Sequence, residues 1–259
     1  MREIKLNWWR ELSGQNNFGD DLSPILIERL TGKKVTFSKL KKCDMISTGS
    51  ILDLAVKFTK ERILRRPFHR TLVWGSGSFG TVKPGYHHLK VSAVRGPLTR
   101  QALGLSDNVT VGDPALLLPR IIDRPHKKYR WGIIPHIAHQ SDPVVADMAL
   151  QPGSRVIDLA RSEPLEIAEE IASCDFVISS SLHGLITADA FGIPNLWMQI
   201  GKPLVGGQWK FRDYFESINR TGNSVQSSVF LKQYEEKAER PDNRLIEKIS
   251  DKLITTLPR

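Results

Sequence analysis

The chain has 259 residues, 40% of them hydrophobic and 25% charged, the make-up of an ordinary globular protein with room for one large domain or two smaller ones. It contains no run of about 18 apolar residues, which excludes a spanning helix, and its first stretch, MREIKLNWWRELSG, mixes charges among apolar residues with no small-residue cleavage site, so a secretory leader is not expected and a cytoplasmic location is. A formal charge of +9 favours anionic partners in general: phosphorylated small molecules, an anionic lipid surface or nucleic acid.

In chain order, EIKLNWW alternates like a strand, SGQNNFGDD reads as a loop, and LSPILIERL reads as a helix with Pro24 in its first turn. CDMISTGS, a helix near 51 to 65, TLVWGSGS, LKVSAVRG, the short helix PLTRQALG and NVTVGDPALLL continue the alternation. Strands alternating with helices imply a mostly parallel sheet covered on both faces. LLLPRIIDRPHKK reads as a linker. A second series follows: YRWGIIPH, the helix DPVVADMAL, the strand SRVIDL, the helix PLEIAEEIAS, the strand CDFVISSS, the helix GLITADAFG and the strand PNLWMQ. From about 205 onward GGQWKFRDYFESI reads as a loop and helix, and the last thirty or so residues as helical and charged. The reading is two doubly wound halves, residues 1–120 and 121–240, with a terminal helix over 241–259 packing back on the first. Ligands of such sheets bind beyond the carboxyl ends of the strands, so a cleft between the halves is the place to look.

SSSLHGLITADAFGIP places His183 where a strand gives way to a helix. Free N–H groups and the helix dipole favour an anion there, and an imidazole suits proton transfer near neutral pH. A hydrogen-bonded structural histidine is the alternative, and both readings stand at this point. His136 ends a strand in IIPHIAH and is a second candidate, whereas His69, His87, His88, His126 and His139 read as solvent-facing. Arg95 ends the strand of AVRGPLTR, with Arg100 one turn further on, and a guanidinium in that position suits bidentate capture of a carboxylate or phosphate. Surface ion pairs are the alternative for both. NNFGDD (Asn17, Gly19, Asp20) and VWGSGS (Gly75, Ser76, Gly77) supply glycines for close backbone approach, but neither is a Walker loop or a full dinucleotide fingerprint. Asp113 reads as a cap, and Glu166, Glu169 and Glu170 as one exposed helix face. Cys43 and Cys174 read as buried small hydrophobes of a reducing compartment, and no metal-ligand spacing occurs. The basic residues form separate clusters without an aromatic-interleaved stripe, which argues against nucleic acid. One cluster, KFTKERILRRPFHR, reads either as a solvated face or as a basic, partly apolar helix for an anionic membrane surface.

In this order the motifs resemble the landmarks of the polysaccharide pyruvyl transferase family: Asn17, Phe18, Gly19 and Asp20, the GSG of Gly75 to Gly77, the strand-end Arg95, GDPALLL, IIPH and SSSLHGLITADAFGIP. The resemblance implies an α/β fold of two Rossmann-like, doubly wound domains, GT-B-like, with the active site in the interdomain cleft. It implies transfer of a pyruvyl group from phosphoenolpyruvate, a co-substrate, to a sugar of an exopolysaccharide or its lipid-linked oligosaccharide precursor, forming a ketal and releasing phosphate, with no cofactor or metal. A lipid-linked acceptor would bring the protein to the inner face of the cell membrane as a peripheral partner. By the same resemblance His183 and Arg95 are catalytic, Ser181, Leu182, Gly184, Arg100, Gly75, Ser76, Gly77 and His136 bind the donor, and Asn17, Gly19 and Asp20 are acceptor or loop residues. Ser181 stands where many members have an arginine, so Arg100, Arg124 or Lys202 is expected to supply the charge. Gly96 stands where an acidic residue is common, and Thr99 replaces a serine. A nucleotide-sugar glycosyltransferase of the same architecture, with a Glu on the ribose, is the alternative enzyme, and a non-catalytic basic binding module the alternative of another class.

Overall fold

Strands covered on both faces are built from near-continuous apolar runs, and the short strands of this chain are of that kind. The computed structural model describes residues 3–10, 16–58, 61, 63–64, 68–83, 88–201, 206–222, 224–226 and 231–257. One sheet contains β1 (Ile4–Asn7), β2 (Val35–Phe37), β3 (Met45–Ile46), β4 (Thr71–Trp74), β5 (Leu89–Val94) and β6 (Thr110–Val111), in the order β2-β1-β3-β4-β5-β6. The other contains β7 (Tyr129–Ile134), β8 (Ser154–Val156), β9 (Cys174–Ser179), β10 (Asn195–Gln199) and β11 (Ser224–Gln226), in the order β11-β10-β9-β7-β8. The pairings are parallel, with Leu6 beside Met45 in one sheet and Ile133 beside Ile178 in the other. Both halves are therefore Rossmann-like and share the doubly wound order 2-1-3-4-5, in which the connections change direction between the first and third strands. The crevices that bind ligands in such sheets lie at those points, beyond the ends of β1 and β3 and of β7 and β9.

The helices are α1 (Phe18–Thr31), α2 (Leu52–Lys57), α3 (Pro97–Ala102), α4 (Pro143–Ala149), α5 (Pro164–Ala172), α6 (Leu182–Ala190), α7 (Gly207–Ser217) and α8 (Asn243–Thr256). Three of them begin on proline, whose missing N–H is harmless in the first position. Helix α1 starts earlier than the sequence suggests, so NFGDD is its cap and first turn rather than a loop. Asp21 Oδ2 accepts the Asn17 N–H at 2.8 Å, and two acidic residues in the first turn suit the helix dipole. Pro24 consequently falls inside the helix, beyond its first turn. The helix expected near 51 to 65 is seen over Leu52–Lys57, and residues 59, 60, 62 and 65 of that stretch lie outside the described residues.

LLLPR is not a linker. Pro114–Arg120 is a 3₁₀ helix capped by Asp113, with Leu116, Leu117 and Leu118 buried. These leucines belong to one apolar cluster with Leu22 and Leu26 of α1 and Leu182, Leu185 and Ile186 of α6, so the two halves share a core. Helix α8 lies against the first half, where Leu253 O accepts from Trp74 Nε1 at 3.1 Å and Leu116 O from Ser250 Oγ at 3.4 Å. The strand β11 carries no clear alternation in the sequence and is added by pairing with β10.

A buried ion pair joins the halves. Arg95, 1% exposed at the end of β5, donates from Nε to Asp213 Oδ2 of α7 at 3.1 Å, from Nη1 to Ser50 Oγ at 2.7 Å and from Nη2 to Ser78 O at 2.8 Å. Thr99 adds its N–H and hydroxyl to the same carboxylate at 2.8 and 2.6 Å. Gly96 leaves room for this, because a Cβ there would stand 1.7 Å from the Asp213 carbonyl oxygen. In this chain the acidic partner of the arginine thus comes from α7. Asp213→Ala should destabilise the fold by about 3–5 kcal/mol, since it strands a buried guanidinium. The double variant Arg95→Met, Asp213→Leu should cost less than the single one in urea unfolding, and a larger loss in the double variant would contradict the latch.

Candidate active site

The two crevices meet. His183 is the second residue of α6 and Gly19 the second residue of α1, and the imidazole lies so close to the glycine that a Cβ would stand 1.8 Å from Nδ1. Only glycine fits there, and the amino-terminal turns of two helices are thereby aimed at one place. Both helices present the positive end of their dipoles.

His183 is shielded, its side chain 14% exposed, with Nε2 3.7 Å from Asp113 Oδ2. Both atoms are buried and neither has a hydrogen-bond partner among the described residues. Asp113 thus serves two purposes. Its Oδ1 accepts the Ala115 N–H at 2.9 Å as the expected cap, while Oδ2 faces the imidazole. Leaving such groups unsatisfied costs about 1–3 kcal/mol each, a cost natural folds carry mainly where chemistry uses the groups.

Three further ionisable groups surround this pair. Asp20, in the first turn of α1, is pushed up to about 7 by burial, with Asp21 and Asp113 adding to the effect and His183 and Lys210 opposing it. His136 is pushed down to about 4 by burial, reinforced by the charges of Lys210, His139 and His183. Lys210 of α7 is lowered to about 8, again mainly by burial, with Arg95 adding and Asp20 opposing. Among the described residues this lysine brings a cation close to Asp20 and His136, where an arginine was expected before Leu182. Arg124 is not near it. Its Nη1 donates to Phe191 O at 2.6 Å, closing the opposite end of α6. Arg100 holds the turn at Asp107 and Val109 instead, and Lys202 lies outside the described residues.

The remaining expected residues divide between scaffold and site. Ser181 caps α6 without a side-chain hydrogen bond, and Leu182 is core. Gly184 lets α6 settle on β7 and β9, since a Cβ would meet Ser179 Oγ at 2.5 Å and Ile134 at 2.8 Å. Gly75, Ser76 and Gly77 support the latch: Gly77 lies under the Arg95 guanidinium, Gly75 against Pro114, and Ser76 Oγ donates to Gly49 O at 2.9 Å. Arg95 itself is engaged on three nitrogens by protein groups. Asn17 is the N-cap of α1.

His139, expected in solvent, is buried because its Nδ1 lies 3.1 Å from Ser180 Oγ, the same hydroxyl that accepts the His136 N–H at 2.9 Å. His88 is buried as well, and His69 lies 3.2 Å from Asp44 Oδ1. His126 is exposed, and His87 lies outside the described residues. His139 and Ser180 border a cavity of about 160 Å³ that also includes Trp197, Gln199 and Phe211. A larger groove, about 640 Å³, lies at the other end of the second sheet. There Arg124 and Lys127 donate to carbonyls that close α6 and α5, and Arg130 pairs with Glu235. Glu166 and Glu169 are exposed on α5, and Glu170 pairs with Arg155 and Arg161. Among the described residues no three His, Cys, Asp or Glu side chains gather as a metal site, and no helix is long and apolar enough to cross a membrane.

Two parallel doubly wound halves, with helix amino termini, a histidine–aspartate pair and a lysine at their meeting point, define an α/β protein with its candidate site between the halves. The family model described as polysaccharide pyruvyl transferase matches residues 4–200, and the chain belongs to that family. The succinoglycan biosynthesis protein ExoV of Rhizobium meliloti (strain 1021) is 25% identical over 230 residues, 84% of this chain and 66% of ExoV. An uncharacterized protein of Acanthamoeba polyphaga mimivirus is 36% identical over 113 residues, 41% of this chain and 39% of its own length. The chain thus spans less than two thirds of these relatives. A solved structure of an uncharacterized protein from Klebsiella pneumoniae subsp. pneumoniae NTUH-K2044 aligns with a TM-score of 0.48 at 10% identity, over 87% of this chain and 93% of that one.

The shifted groups predict opposed pH effects on stability. Between about pH 4 and 7 the folded state holds a proton on Asp20 that the unfolded chain releases, so stability falls as pH rises. Between 6.5 and about 4 the unfolded chain protonates His136 and the folded one does not, so stability falls as pH drops. Asp20→Asn should therefore be more stable than the parent at pH 8, by about 2–4 kcal/mol in urea unfolding. It should also lose more stability than the parent between pH 6.5 and 4, and equal stability at pH 8 would contradict the assignment.

Proposed function

We propose that the protein transfers a pyruvyl group from phosphoenolpyruvate to a sugar of an exopolysaccharide or its lipid-linked precursor, forming a cyclic ketal across two hydroxyls and releasing phosphate. The observation that carries this reading is the convergence of the α1 and α6 amino termini on the His183–Asp113 pair. Phosphoenolpyruvate carries a carboxylate and a phosphate, and two helix amino termini with Lys210 beside them offer the complementary charge. The family match supports the same reaction class, and the similarity to a succinoglycan biosynthesis protein supports a polysaccharide acceptor.

In this reading His183 is the base that takes the proton of the attacking acceptor hydroxyl. Asp113, with Oδ2 3.7 Å from Nε2, favours by its charge the imidazolium that forms, as a buried carboxylate does beside a catalytic histidine. That leaves Nδ1, which packs over Gly19, as the ring nitrogen that takes the proton. The hydroxyl oxygen bonds to C2 of the donor, and the phosphate leaves with the bonding pair of its C2–O bond. Arg95 acts here through position, holding α7 and its lysine at the site.

The test is acceptor-dependent phosphate release from phosphoenolpyruvate with pyruvylatable lipid-linked oligosaccharides. His183→Ala should reduce kcat by about 10²–10⁴-fold with its circular dichroism unchanged. Undiminished turnover would remove the histidine from the mechanism, and turnover of a nucleotide sugar with no phosphate release from phosphoenolpyruvate would replace the donor.

A lipid-linked acceptor also fits peripheral contact with an anionic membrane. Leu64 and Phe68 are 85% and 101% exposed within the basic stretch KFTKERILRRPFHR. Vesicles rich in phosphatidylglycerol should sediment the protein at low salt and release it at high salt, and Leu64→Ser with Phe68→Ser should weaken the binding. Failure to bind at low salt would rule the contact out.

A further inference from the structure

Ketal formation needs an acid as well as a base. Two protons leave the acceptor's hydroxyls, C3 of the donor must gain one to become a methyl group, and His183 accounts only for removal. Helix α1 begins with two acidic residues, and the structure separates their tasks. Asp21 reaches back to the Asn17 N–H at 2.8 Å and closes the helix end. Asp20, 8% exposed, makes no hydrogen bond to any described residue. Its Oδ1 rests on Gly49, where a Cβ would come within 2.1 Å, and φ of +99° independently calls for glycine. Its chain neighbour Gly19 carries the His183 ring. A buried, unpartnered carboxyl is thus held in a glycine-lined cradle beside the imidazole.

Resting on the pyruvyl transfer reading above, we propose that Asp20 is the general acid that protonates C3 of the enol donor. The electron pair of the C2–C3 double bond takes the Asp20 proton while the first acceptor oxygen, losing its proton to His183, bonds to C2. The C2–O bond to phosphate then breaks with its electron pair on the phosphate. The second hydroxyl adds to C2, and its proton departs on the phosphate as hydrogen phosphate. His183 returns its proton to the Asp20 carboxylate, and both groups are restored. The charges facing Asp20 are His183 of α6, Asp113 after β6, Lys210 of α7 and Asp21 of its own helix. Burial among them keeps the carboxyl protonated up to about pH 7, the state a general acid must start from.

The experiment compares Asp20→Asn and Asp21→Asn with the parent in acceptor-dependent phosphate release, with kcat and the KM for phosphoenolpyruvate measured from pH 5 to 9. Asp20→Asn is expected to lower kcat at least about 100-fold, with KM changed less than about 3-fold, and to abolish the decline of kcat above pH 7. Asp21→Asn, which disturbs only the helix end, is expected to keep kcat within about 3-fold of the parent when measured well below its unfolding temperature. A smaller loss in Asp20→Asn, or a decline above pH 7 that persists in it, overturns the role of Asp20 while leaving the transfer reaction intact. A parent protein that releases no phosphate from phosphoenolpyruvate with any pyruvylatable acceptor overturns the donor chemistry itself, and the role of Asp20 falls with it.

Discussion

A guanidinium cannot be buried without partners, and Arg95 is buried almost completely. Its need for them organises the meeting of the two halves. It gathers Asp213 from α7, Ser50 from the loop after β3 and the Ser78 carbonyl from the loop after β4. Those three groups come from distant parts of the chain, and each fixes the path of a segment at the carboxyl ends of the strands. With α7 held by Asp213, Lys210 three residues earlier is carried into the field of Asp20 and His136. A cation with no motif of its own becomes part of the site because a neighbouring arginine had to be neutralised.

The second organising constraint is steric. Gly19 and His183 meet so closely that the first turns of α1 and α6 act as one anion-attracting surface. The shared leucine core beneath, with Leu116 to Leu118 packed between the two helices, holds that approach in place. Around it polar groups are left short of partners: Asp113 Oδ2 and His183 Nε2 face each other at 3.7 Å without a hydrogen bond, and Asp20 is buried beside them. Stability is given up at this spot, while other buried carboxylates are fully engaged. Asp189 illustrates the contrast, taking hydrogen bonds from Asn195, Tyr214 and Arg220 at 2.6 to 2.9 Å.

Much of the architecture was legible because parallel strands and their helices leave strong local marks. Apolar runs ending in Gly or Ser marked most of the strands, and prolines marked the starts of three helices. The errors have local causes too. NFGDD resembled a loop because glycine and acidic residues also open helices, and the capping bond from Asn17 to Asp21 decides between the two. LLLPR resembled the start of a linker because it contains proline and runs into a basic stretch, although its leucines belong to the core that both halves share. The burial of His139 was hidden because its partner, Ser180, lies 41 residues away in the chain.

By itself the sequence determined the class of fold, the two series of strands and helices, and the candidacy of His183, since those depend on periodicity, turn chemistry and motifs carried by neighbouring residues. The tertiary structure alone decided which residues confront the histidine. Asp113 looked like a cap and is also its partner; Lys210 looked like part of an ordinary helix and is the site's cation; Arg95 looked like an anion clamp and is engaged by Asp213. The reason is that charge, burial and hydrogen bonding act through space over a few ångströms, between groups tens to more than a hundred residues apart in the chain.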